Sequence, residues 1–80
     1  MFIHLGGSTL ALSKEVVAII DMKMAEKSIS TLEFLQIAED EGFTVDISNG
    51  KPKSFVITND CVYLTPISST TLYKRAGASN

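Results

Sequence analysis

Ser48-Asn49-Gly50-Lys51-Pro52-Lys53-Ser54-Phe55-Val56-Ile57-Thr58 joins a turn signal to two lysines and then to an apolar run. Asn-Gly tolerates the left-handed backbone of a tight reversal, and Phe55 to Thr58 are all aromatic or β-branched, as in a strand. Pro52 fixes φ and gives up an amide donor between the lysines, so a stiff loop, unpaired at that point, is expected. Thr44-Val45-Asp46-Ile47 alternates as a half-buried strand and leads directly into the turn. Beyond Thr58, Asn59-Asp60 is a polar reversal ahead of a further strand at Cys61-Val62-Tyr63-Leu64. The expected arrangement is an antiparallel meander that displays Lys51 and Lys53 on a loop.

Upstream, Phe2 to Leu5 ends at Gly6-Gly7 and reads as a short strand turning into its partner at Thr9 to Leu12. After the polar break Ser13-Lys14-Glu15, the β-branched run Val16, Val17, Ile19, Ile20 favours a buried strand. Asp21 to Lys27 is expected to be a connection with some helical turn, or an interface flap. Ser30 with Glu33 forms a capping box and Ile29 can staple onto Phe34, with Ser28 as the competing cap. Leu32, Phe34, Leu35 and Ala38 supply an apolar stripe, and Gly42 ends the helix. Pro66 closes the sheet region, after which Ser68 to Thr71 offer caps for a short helix that Gly77 can end. The fold class is therefore α+β. A mostly antiparallel sheet of five to six short strands carries one main helix from about Ser30 to Glu41 and a terminal helix from about Ser69 to Ala76.

Eighty residues fit one domain, read as 1–77 with a short flexible tail at 78–80. Apolar residues make up 45% of the chain and charged residues 20%, a surplus that points to a buried interface between copies. Cys61 is the only cysteine, so no intrachain disulfide can form and a reducing, cytoplasmic compartment is expected. The amino terminus lacks the basic start and long apolar run of a signal peptide, and no stretch approaches the roughly 20 apolar residues of a membrane span.

The net charge is −2, but its distribution is uneven. Residues 1–47 hold three lysines against eight acids, whereas residues 48–80 hold three lysines and one arginine against Asp60, giving −5 and +3. A basic face can survive on an acidic protein, and the cations able to meet phosphate are Lys14, Lys51, Lys53, Lys74 and Arg75. Lys14 is expected beside the display loop. Glu39-Asp40-Glu41 offers an acidic docking patch, although successive acids on a helix point in different directions and chelate poorly. His4, Cys61 and the hydroxyls form no recognisable catalytic constellation, and neither a metal nor a cofactor is expected.

Four segments carry a family resemblance: Phe2-Ile3-His4-Leu5-Gly6, Glu15 to Asp21, Pro52 to Thr58, and Val62 to Ser69 with Thr71-Leu72 and Lys74-Arg75. Together they resemble the RemA/RemB family of extracellular-matrix and biofilm regulators, most closely its RemB branch. The resemblance implies a non-enzymatic cytoplasmic DNA binder that assembles into a ring of identical subunits and holds double-stranded DNA mainly by its backbone. The family's arginine-rich stretch falls on Lys51, Pro52 and Lys53, and another family arginine falls near Glu15, with Lys14 adjacent. Tyr73 stands where another basic residue would be expected. Lysine keeps the charge but loses the bidentate fork of arginine, and Glu15 reverses the sign. The alternative is an oligomeric protein-protein adaptor that docks a basic protein on its acidic patch. Neither a membrane nor a small-molecule substrate is expected as a partner.

Overall fold

A computed structural model describes residues 1–77; the tail expected at 78–80 lies outside the described residues. Strand β1 (Phe2–Gly6) pairs antiparallel with β2 (Thr9–Leu12), and a 3-10 turn at Ser13–Glu15 leads into β3 (Val16–Asp21). Helix α1 (Met22–Ala25) is a single turn and α2 (Ile29–Asp40) is the main helix. Then follow β4 (Thr44–Asp46), β5 (Ser54–Thr58), β6 (Val62–Thr65) and the terminal helix α3 (Ser69–Gly77). The α+β class and the number of strands are as expected. The single sheet is not: β1 and β2 form their own sheet, and the other four strands run in the order β3-β5-β6-β4.

The meander also needs correction, because β4 lies parallel to β6 and makes no hairpin with β5. Asn49 and Gly50 do adopt the left-handed backbone, with φ of 58° and 81°. Their turn nevertheless sits inside a wider arch. Ile47 N donates to Leu64 O at 2.9 Å and Lys53 N to Thr65 O at 2.9 Å, so the chain crosses the end of β6 and β6 occupies the place between β4 and β5. A two-residue turn signal says nothing about where the backbone bonds on either side of it go.

Two helix ends also differ from expectation. Ser28, not Ser30, caps α2, its hydroxyl accepting from Thr31 N at 3.2 Å, so the Ser30–Glu33 capping box does not form. At the other end Gly42, with φ of 77°, donates to Glu39 O, and Phe43 N donates to Ala38 O. These two bonds satisfy carbonyls that α2 would otherwise leave open. Helix α3 starts as read, with Ser68 Oγ accepting from Thr71 N at 3.2 Å.

Strand register explains the layers, since every second residue faces the same side of a sheet. Ile19, Val56 and Tyr63 form one cross-strand row, packed with Ile3 and Leu5 of β1 and Leu72 of α3. Ile20, Phe55 and Leu64 form the next row on the opposite face, where Ala25 and Ala38 bring in α1 and α2. Val17 is left out of the ladder at a bulge in the edge strand β3 and is exposed. No helix among the described residues is long and apolar enough to cross a membrane.

Thr65 ties the two sheets together. Its hydroxyl is fully buried, donates to Leu5 O and accepts from Ile67 N. Thr65→Val keeps the shape but leaves these groups without their partner, and is expected to cost about 1–3 kcal/mol in urea unfolding. A midpoint equal to that of the wild type would contradict the role given to this hydroxyl.

Candidate nucleic-acid interface

The arch between β4 and β5 is tied down at several points. Besides the bonds of Ile47 and Lys53 to β6, Lys53 O accepts from Met22 N at 3.0 Å and Lys51 N donates to Ser48 O at 3.3 Å. Asp46 closes the arch from below. Its Oδ1 accepts from Ser48 N at 2.8 Å and from Ser48 Oγ at 2.5 Å, and its Oδ2 accepts from Gly50 N at 3.2 Å. These bonds hold the Asp46 carboxyl below its ordinary value of 3.8, with the Ser48 hydroxyl as the largest cause, then Ser48 N and, more weakly, Gly50 N. Lys51 and Lys53 are both exposed, and their ammonium groups make no hydrogen bond or ion pair with any described residue.

Lys14 is not beside this loop, contrary to the expectation from sequence. It precedes Val16, which pairs with Thr58, whereas Lys53 precedes Ser54, which pairs with Asp21. The two therefore lie at opposite ends of the β3–β5 ladder, about 17 Å apart at roughly 3.4 Å per residue. Acids gather at the Lys14 end: the Tyr63 phenol is pushed up first by its interaction with the Cys61 thiol and by burial, and further by the charges of Cys61, Asp60 and Glu15.

Lys23 is a cation near the arch that the sequence reading passed over. It lines a cleft together with Lys53, Pro52, Asp21, Met22 and Glu26, because the short α1 begins where β3 ends against the arch. The signal was available in the β3–β5 pairing, which brings Asp21 to Ser54, but not in local sequence spacing.

Lys74 and Arg75 lie on α3, which packs against β1 and β3. Lys74 is exposed, whereas Arg75 Nη1 donates to His4 O at 2.8 Å and thereby ties α3 to β1. Tyr73 has a structural role as well, its hydroxyl donating to Ile19 O. The start of α3 is not open to an anion: Ser69 is buried and its hydroxyl lies 3.4 Å from Asp21 Oδ2, so a carboxylate already stands there. The acidic run closes the far end of α2, where Asp40 Oδ1 accepts from Gln36 Nε2 at 2.9 Å. No group of three or more His, Cys, Asp or Glu among the described residues is arranged to hold a metal.

The sequence that builds this arch matches a known family. Residues 2–76 match the RemA-like family, described as extracellular matrix regulatory protein A-like, and the chain belongs to that family of regulatory proteins. It is 41% identical over 76 residues to Extracellular matrix regulatory protein B of Bacillus subtilis (strain 168), a match covering 95% of this chain and 90% of the relative. That similarity assigns it to the RemB branch.

Because the folded pKa of Asp46 is depressed, its contribution to the arch is present above the unfolded value and is lost as pH falls through the folded one. Hydrogen exchange at the Ser48 and Gly50 amides is therefore expected to lose protection in an acid step whose midpoint lies below 3.8. A step centred at or above that value would contradict the bonding described for Asp46.

Proposed function

We propose that this protein is an oligomeric, non-enzymatic regulator of transcription. It works in the cytoplasm on extracellular-matrix and biofilm genes and contacts the backbone of double-stranded DNA through basic residues. The observation that carries this is the pair Lys51 and Lys53, whose ammonium groups have no partner among the described residues and which are held out on an arch tied by backbone hydrogen bonds. A fixed mount lowers the ordering cost of each phosphate contact. Lys23 adjoins the same cleft, Lys74 and Arg75 supply a second patch on α3, and Lys14 supplies a separate contact at the opposite end. Membership of a family of regulatory proteins supports the regulatory part.

Self-association is supported by what α2 leaves uncovered. Leu35 and Ala38 face the sheet, whereas Ile29, Leu32, Phe34 and Ile37 remain exposed, and Phe43 just beyond the helix is exposed too. A helix that is apolar beyond its packed stripe has surface to bury elsewhere. In an assembly of identical subunits, a few cations per copy add up through avidity. The adaptor reading keeps one observation in its favour: Phe34, Ile37 and Phe43 share a groove with Glu41 and Asp60, which suits a basic, apolar partner.

Two experiments test the proposal. Lys51→Glu with Lys53→Glu is expected to weaken DNA binding by at least about tenfold and to flatten the slope of log affinity against log salt by about 0.9 for each phosphate no longer neutralised. Binding that is absent in the wild type, or insensitive to salt, would favour the adaptor. Phe34→Ser with Ile37→Ser, at positions 42% and 58% exposed, is expected to reduce the mass seen by light scattering and leave the circular dichroism unchanged. A wild-type protein that is already a monomer would remove the oligomer from the proposal.

A further inference from the structure

A carboxylate at the root of a loop that is to meet phosphates is unfavourable on charge alone, since it repels the polyanion the lysines attract. Asp46 stands at that root, and its carboxylate bonds to no cationic side chain among the described residues. Its three partners all belong to the arch, two on Oδ1 and one on Oδ2. Asparagine could accept the two bonds from Ser48 through its one carbonyl oxygen. Its amide nitrogen would then face the Gly50 N–H, donor against donor. Only a carboxylate satisfies both sides of the turn.

The bonds within the arch divide the two lysines. Lys53 is held through its own backbone, from Lys53 N to Thr65 O and from Met22 N to Lys53 O, neither of which involves Asp46. Lys51 has no such anchor to another element. Its amide reaches back to Ser48 O, and the residues between, Asn49 and Gly50, hold consecutive left-handed conformations. That turn is the part Asp46 closes from both sides.

We propose that Asp46 is a positioning residue for Lys51: its carboxylate fixes the Ser48–Gly50 turn so that the Lys51 ammonium is presented to a DNA phosphate in one place. The inference rests on the reading of the arch as a DNA contact. It opposes simple electrostatics in sign. If charge alone mattered, Asp46→Asn would remove a negative charge per subunit and tighten binding; if Asp46 positions Lys51, the same change weakens it. The effect must also be selective, passing through Lys51 and not Lys53.

The test is a double-mutant cycle on the full chain, read by anisotropy with one DNA duplex at fixed salt and by hydrogen exchange of the arch amides. Asp46→Asn is expected to bind about 2- to 10-fold more weakly, the range for leaving one side chain to be ordered on binding. That loss should vanish in a Lys51→Gln background and persist in a Lys53→Gln background. Exchange should quicken at Ser48, Gly50 and Lys51 but not at Lys53. Gly50→Ala loosens the same turn without altering charge, because its added Cβ meets nothing within 4 Å while φ of 81° disfavours it. It carries the same expectation should Asp46→Asn fail to fold. Equal or tighter binding by these variants, or an equal loss without Lys51, overturns the inference. Absence of DNA binding by the wild type overturns the reading of the arch instead, and exchange then decides whether Asp46 holds Lys51 in place.

Discussion

The carboxyl-terminal end of β6 is the constraint on which the rest depends. Within two residues it accepts Ile47 N on Leu64 O and Lys53 N on Thr65 O, and it sends the Thr65 hydroxyl to Leu5 O. The first two bonds keep β4 and β5 on opposite sides of β6, and the third brings the β1–β2 sheet down onto the four-stranded one. Each involves a backbone group whose burial without a partner would be costly. The arch carrying Lys51 and Lys53 follows from this, since seven residues between Asp46 and Ser54 must pass over a strand already paired on both edges. Its stiffness belongs to the end of β6 as much as to Pro52.

Much of this was legible in the chain because the signals were local. Gly42, the Asn49-Gly50 pair, Pro66 and the caps before α3 each act through their own φ or their own hydroxyl, and each turn or end falls where they put it. What failed to show was pairing. Thr44 to Asp46 alternates as well against β6 as against β5, and alternation carries no sign for parallel or antiparallel. The same blindness misplaced Lys14, which was expected beside the arch and lies at the far end of the β3–β5 ladder. It also hid Lys23, which becomes a neighbour of Lys53 only through that ladder.

The face that α2 buries is narrow. Helix α2 turns Leu35 and Ala38 toward Phe55 and Val62, a narrow stripe served by one medium and one small side chain. Phe34 and Ile37 lie to the side of that stripe and stay exposed, in the groove between Phe43 and the β5–β6 turn. For a chain this short, whose single layers bury a limited share of its apolar surface, such a residue pair is more useful against another molecule than against solvent. The apolar surplus noticed in the composition thus has a location, and it is distinct from the basic arch.

That separation also answers how a chain of net charge −2 could approach a polyanion. Helix α2 begins next to α1, whose first amide bonds Lys53 O, and ends at Glu39-Asp40-Glu41 beside the β5–β6 turn. The acidic run therefore lies at the opposite end of β5 from the arch, about 14 Å away along the strand at roughly 3.4 Å per residue. At physiological salt the screening length is about 8 Å, so at a separation beyond it the acids take little from the field at Lys51 and Lys53. Net charge sums over the whole surface, whereas a phosphate a few ångströms from the arch responds to what lies within a screening length. There the opposing charges include Asp46, Asp21 and Glu26, and each is built into the local structure or the cleft wall. The potential that a phosphate meets is thus governed by a handful of placed residues, which makes the position of each lysine matter as much as its charge.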